Sequence, residues 1–146
     1  MRDILFRGKR VDNGKWVTGT PFIEANCCKM ITAVALHPDF VDEGNVYFSE
    51  GFPVRQETVG QYTGLTDKNG KKIFEGDIVN CVYDGDLRTY IVVWDKEELD
   101  FKATNGEESF GNNFRYLCCC DEVEIIGNIF DNPELLENNT GKENSI

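Results

Sequence analysis

A chain of 146 residues, 40% hydrophobic and 12% aromatic, has apolar material for one domain or two small ones sharing a core, without disulfide staples. Its formal net charge of −11 sets aside ordinary binding to a phosphate backbone, which needs clustered Lys and Arg. Apolar runs such as Tyr90–Trp94 are far too short for a membrane span. Met1–Arg7 lacks the long uninterrupted core of an export signal, so a cytoplasmic protein is expected.

The N-terminus is locally basic. Residues 1–16 carry Arg2, Arg7, Lys9, Arg10 and Lys15 against two acids, a local +3 that leaves −14 on the rest. Such asymmetry steers the basic end of one copy toward the acidic body of another, or is simply solvated charge. Ile4 and Phe6 alternate as on a strand. Arg10–Val17 reads as a hairpin about Asn13-Gly14, whose residues suit a tight primed turn. Trp16 and Thr18 then face one way, Val17 and Gly19 the other.

Pro21-Phe22-Ile23 and Met30–Leu36 read as strands, His37-Pro38-Asp39 and 42–45 as loops. Val46-Tyr47-Phe48 and Glu57-Thr58-Val59 are short β candidates. Asp67-Lys68-Asn69-Gly70 is a turn, and Lys71–Phe74 leads to Glu75-Gly76-Asp77. Ile78–Tyr83 and Leu87–Trp94 are strands joined by Asp84-Gly85-Asp86. Leu99, Phe101 and Ala103 alternate on a third strand. Residues 107–115 are loop-like, with Phe110 and Phe114 as apolar anchors. Val123–Phe130 is a last strand interrupted by Gly127. Short strands joined by tight turns suggest a small barrel, because closure removes sheet edges. Residues 132–136, with Pro133 near their start, suit a brief helical turn, and the polar tail after Glu137 is expected to be disordered.

The chemical inventory is sparse. Cys27-Cys28, Cys81 and Cys118-Cys119-Cys120 lack the C-x₂-C spacing of a structural zinc site and the dispersed spacing of a disulfide framework, so they read as free, small apolar side chains. The single histidine, His37, precedes Pro38 in a loop and reads as solvated surface. Ser49, Ser109 and Ser145 lie in no nucleophile elbow. Gly60–Leu65 lacks the Lys and Ser/Thr of a phosphate loop, and Asp67–Gly70 resembles only part of a calcium loop. Asp77 and Asp95 sit at strand ends, where acids cap turns. Brought together, they would suit acid–base work or a hydrated magnesium ion. Glu97-Glu98 and Glu107-Glu108 read as solvated acids. Among the aromatic residues Tyr62, Tyr83, Tyr90, Trp94 and Phe101, period-2 alternation turns about half inward. Trp16 and Trp94 read as core or interface anchors.

Three blocks carry a family resemblance. Met1–Arg10 followed by Gly14–Gly19 resembles the start of the YopX-like proteins of bacteriophages and prophages. Thr58–Val79, running through Gly60-Gln61-Tyr62-Thr63-Gly64-Leu65-Thr66-Asp67-Lys68-Asn69-Gly70 to Phe74-Glu75-Gly76-Asp77, is similar to that family's signature. Ile125–Phe130 with Asn132–Leu136 resembles its ending. The resemblance implies an all-β protein with an N-terminal β region (1–57), a C-terminal SH3-like barrel carrying the signature (58–131) and a short helical turn with a polar tail (132–146). It also implies a tendency to homo-oligomerise and a phage-derived gene expressed in bacterial cytoplasm, and it brings no enzymatic activity or catalytic residues to carry over. Physically, Gly60, Gly64, Gly70 and Gly76 permit tight turns over packed apolar residues.

The sequence thus points to a non-enzymatic accessory protein acting through protein–protein contact as a homo-oligomer, or on a host or phage protein, with no cofactor, metal, membrane or direct nucleic-acid partner. Candidate contact residues are Arg7, Lys9, Arg10, Trp16, Gln61, Tyr62 and Trp94. An acidic decoy for a host nucleic-acid-binding protein and a small metal-dependent enzyme using Asp77 and Asp95 are the alternatives.

Overall fold

The computed structural model describes residues 4–25, 27–35, 47–83, 85–105 and 114–136. Among the described residues the period-2 runs become ten strands, all antiparallel: β1 (Phe6–Arg10), β2 (Trp16–Glu24), β3 (Cys27–Ala35), β4 (Tyr47–Thr66), β5 (Lys72–Phe74), β6 (Asp77–Tyr83), β7 (Asp86–Asp95), β8 (Asp100–Thr104), β9 (Phe114–Tyr116) and β10 (Asp121–Asn128). They fall into two compact units, residues 1–61 and 62–146. The boundary drawn from sequence, 57/58, lies slightly earlier within β4. No helix among the described residues is long and apolar enough to cross a membrane.

In unit 1, β1 pairs with both β2 and β4, while β3 pairs with β2 and β4, so the four strands close on themselves. The first hairpin forms where Asn13-Gly14 places it, but its turn is wider than a two-residue primed turn. Of the pair only Gly14 has positive φ (69°), and the Asn13 side chain accepts the Lys15 N–H at 2.9 Å, holding the loop open. Of the two short pieces expected at 46–48 and 57–59, Tyr47, Phe48 and residues 57–59 are parts of the single long β4, and Val46 lies outside the described residues. Its pairing with β1 jumps from Arg7 opposite Gly60 to Lys9 opposite Arg55, leaving a bulge. Buried Thr58 fills it: the hydroxyl accepts the Lys9 N–H at 2.9 Å and donates to the Arg55 carbonyl at 2.6 Å. Gly60, expected in a turn, is instead a buried strand residue.

Among the described residues the core of this unit is Cys28, Met30 and Val54, with Phe6, Val17 and Val59 packed against them. Gly8 is buried where a Cβ would lie 3.1 Å from Val54 and 3.2 Å from Met30, so any side chain there would have to push both aside. The neighbours Phe22 and Ile23 point to opposite faces, yet are 51% and 59% exposed.

In unit 2 the sheet order is β10-β6-β7-β8-β9, and β5 pairs with the end of β4. The meander forms as its alternation suggests. β6 and β7 are joined through Gly85 (φ 83°). Ile73, Val79, Cys81, Tyr90, Val92, Ala103, Leu117 and Val123 form the core. Burying each large aliphatic among them is worth about 1.5–3 kcal/mol before entropy is charged. Pairing stops at β10 and β9, so closure into an SH3-like barrel is not among the pairings of the described residues.

Two expectations change in this unit. Leu99 is not part of the third strand. It ends the turn before β8 with φ 55° and 72% exposure. Phe114 and Arg115 begin β9 rather than a loop. A 3-10 turn, Leu117–Cys119, not expected from the sequence, precedes β10. β10 does change register between Ile125 and Gly127, and residues 134–136 are helical. The loops at 37–39 and 42–45, His37, Asp84, Phe110 and the tail after residue 136 lie outside the described residues.

Candidate functional site

The basic residues of the first hairpin are held by their own unit. On β1 and β2 the Arg7 guanidinium carbon lies 4.7 Å from the centre of the Trp16 ring, which is half-buried. Arg10 lies 4.2 Å from the Phe52 ring and makes a forked pair with Asp12 at 2.9 and 2.6 Å. That guanidinium holds the Asp12 carboxyl below its usual range. Lys9 is fixed through its backbone by Thr58, and Gln61 stands half-buried across from Phe6. Arg7, Lys9, Arg10 and Trp16 are therefore gathered on one hairpin, but two of the guanidinium groups already lie against aromatic faces.

Tyr62 is buried against Phe74, with ring centres 5.7 Å apart, and is a packing residue rather than a contact residue. Trp94 is the reverse. It pairs across strands with Phe101, meeting that ring edge-on at 4.9 Å, and remains 43% exposed. Beside it lies an open depression of about 400 Å³ lined by Glu75, Trp94, Asp95, Lys96 and Glu97. A fixed aromatic ring with three carboxyl groups and one ammonium around a shallow depression offers apolar contact, cation–π attraction and net negative charge together.

Lys102, absent from the sequence-based candidates, organises this end of the β7–β8 hairpin. It is 2% exposed, with its ammonium 2.7 Å from Asp95 and 3.5 Å from Glu98. Tyr116 donates its hydroxyl to Glu98 at 2.5 Å, and the Lys102 ammonium lies 5.5 Å from the Tyr116 ring. Asp95 also accepts the N–H groups of Glu97 and Glu98, closing the turn. The Lys102 hydrogen bond, helped by those two N–H groups, holds the Asp95 carboxyl below its usual range; Asp95 in turn raises Lys102. The pair is charged across neutral pH. No sequence signal marked Lys102, because Lys102, Ala103 and Thr104 are all buried and alternation fails there.

The other acids act locally. Asp67 is 6% exposed and its carboxylate accepts the N–H groups of Asn69 and Lys71, both at 2.9 Å, and of Ile125 at 3.1 Å. Burial pushes this carboxyl up, but the three N–H groups outweigh it and hold it below the usual range. This is the turn reading of Asp67–Gly70, with both carboxylate oxygens given to backbone amides. Buried Asp77 accepts the Phe74 N–H at 2.8 Å beside Gly76, which has φ 92°. No group of three or more metal-binding side chains is found among the described residues. Cys28 and Cys81 are buried as expected of small apolar side chains, whereas Cys27, Cys118 and Cys119 are exposed.

The family model described as YopX protein matches residues 5–137. A similar solved structure, the crystal structure of protein EF1440 from Enterococcus faecalis, has a TM-score of 0.61 and 24% identity. The likeness covers 93% of this chain and 99% of that one, and it shows the fold alone. No curated protein matches the chain.

Proposed function

The chain belongs to the YopX family, and from that premise we propose that it is a phage- or prophage-derived accessory protein of the bacterial cytoplasm. It is non-enzymatic, acts by protein–protein contact and self-associates. The observation that carries the reading is Trp94, a large ring fixed by Phe101 and left 43% exposed at the rim of an acid-lined depression. Leu99, 72% exposed on the same hairpin turn, enlarges the apolar surface. Exposed aromatic and aliphatic side chains ringed by charge are the composition of a contact patch. The basic surface of a second copy supplies charge of the right sign, although Arg10 is already paired with Asp12.

Mass in solution, measured by size-exclusion chromatography with light scattering at low and high salt, tests this. The reading expects an oligomer that Trp94→Ala converts to monomer. A wild-type protein that is monomeric at both salts, with no partner in an unbiased pull-down, would refute it. A second reading, the acidic decoy, draws on Glu75, Asp95 and Glu97 sharing one face. It expects displacement of DNA from a basic host protein, read by filter binding.

A further inference from the structure

The 3-10 turn before β10 sets three cysteines in a row, and two of their sulfurs meet. Cys118 and Cys119 are both exposed, with Sγ atoms 3.9 Å apart in a thiol–thiol hydrogen bond. Cys120 is engaged elsewhere: its thiol donates to the Tyr116 carbonyl at 3.6 Å, and its side chain packs against the core of unit 2. A disulfide within the pair would have to bring the sulfurs to about 2.05 Å, in an eight-membered ring that strains the planar peptide between them. A metal ion bridging them needs no such contraction. With two bonds of about 2.3 Å, the length of a zinc–thiolate bond, a 3.9 Å separation gives an S–metal–S angle of about 116°. The hydrogen bond between the two thiols pushes Cys118 above its ordinary range, and the nearby Asp100 carboxylate adds to this. A proton therefore lies between the sulfurs at neutral pH, in the place a metal cation would take.

We propose that Cys118 and Cys119 form a chelating site for one monovalent copper ion. Thiolates are soft ligands, which select monovalent copper or zinc over the harder cations. The number of ligands decides between those two. Zinc in protein sites is almost always four-coordinate, and no group of three or more metal-binding side chains is found among the described residues. Monovalent copper is satisfied by two thiolates. On binding, both thiols give their protons to solvent, two copper–sulfur bonds form and no electron is transferred.

The test titrates the full-length, reduced protein under argon with monovalent copper held by bicinchoninate, whose coloured complex fades as copper is withdrawn. One ion per chain is expected. Cys118→Ser and Cys119→Ser should each weaken binding by about a hundredfold or more, because the second thiolate binds intramolecularly. Cys27→Ser and Cys120→Ser should leave it unchanged. A second measurement needs no variant. In the wild-type protein copper should spare Cys118 and Cys119 from N-ethylmaleimide, while Cys27 reacts as it does without metal. Tryptic cleavage after Arg115 and Lys142 places Cys118, Cys119 and Cys120 on one peptide, whose fragments separate the three positions by mass spectrometry. Copper binding that survives in Cys118→Ser/Cys119→Ser, or is lost in Cys120→Ser, would overturn the proposal. So would a copper-dependent dimer by light scattering, or equal protection of the two thiols by zinc at the same concentration.

Discussion

Among the described residues, every strand of residues 1–61 has two hydrogen-bonded neighbours there, whereas the five-stranded sheet within 62–146 ends at β10 and β9. The buried polar groups divide the same way. Among the described residues, unit 1 buries Thr58, at a bulge, while unit 2 buries Asp67, Asp77, Lys102 and Thr104. Ring closure removes edges, and among the described residues the buried apolar cluster of unit 1 is Cys28, Met30 and Val54. A sheet with ends must be tied by its turns, and buried charged groups that accept or donate several hydrogen bonds do this. Unit 1 is therefore sensitive to volume, unit 2 to charge.

The comparison can be pressed with the two tryptophans, one in each unit. Trp94→Phe leaves Trp16 as the reporter of unit 1, and Trp16→Phe leaves Trp94 for unit 2. The largest effect is expected from Asp67→Ala. It strips acceptors from three backbone N–H groups and should cost unit 2 about 3 kcal/mol in urea unfolding read at Trp94. A loss seen equally at Trp16 would break the division.

Acid provides the next contrast. Asp67 and Asp95 have lowered carboxyl values, so their stabilisation is complete above the ordinary 3.8 and is lost as pH falls through the lowered values. In unit 1 the lowered acids Asp12 and Glu57 are exposed and paired with Arg10 and Arg55, which contributes little. The Trp94 signal should therefore move at a higher pH than the Trp16 signal in an acid titration.

Gly8→Ala sharpens the volume side. The added methyl must displace Val54 and Met30 by a few tenths of an ångström and should cost unit 1 about 1–2 kcal/mol, with unit 2 unchanged. Smallest is a gain. Leu99→Gly relieves a left-handed residue and should stabilise unit 2 by about 1 kcal/mol in the monomer.

How much of this was legible in the sequence follows the same division. The β6–β7 hairpin was readable because its alternation is regular and its loop contains Gly85. The Asp67 turn was readable because Asp, Asn and Gly stand at the positions such a turn uses. The continuity of β4 was not, since the bulge filled by Thr58 breaks period-2 spacing over residues 55–60. Nor was Leu99, a residue that rarely takes positive φ. Of the candidate site, Trp94 was named, but Tyr62 proved to be core. The supports of Trp94's hairpin, Lys102, Glu98 and Tyr116, were missed because they converge only when β7, β8 and β9 pair. Chain spacing alone does not reveal a buried lysine.

The contact surface at Trp94 is the central functional claim, and the fluorescence of Trp16→Phe on dilution tests it most directly. A buried indole emits at shorter wavelength than an exposed one, so emission should shift to longer wavelength as dilution separates the copies. The same dilution of Trp94→Phe should leave Trp16 unmoved. A Trp94 emission independent of concentration while light scattering shows the oligomer dissociating, or a shift confined to Trp16, would place the contact elsewhere and contradict the account.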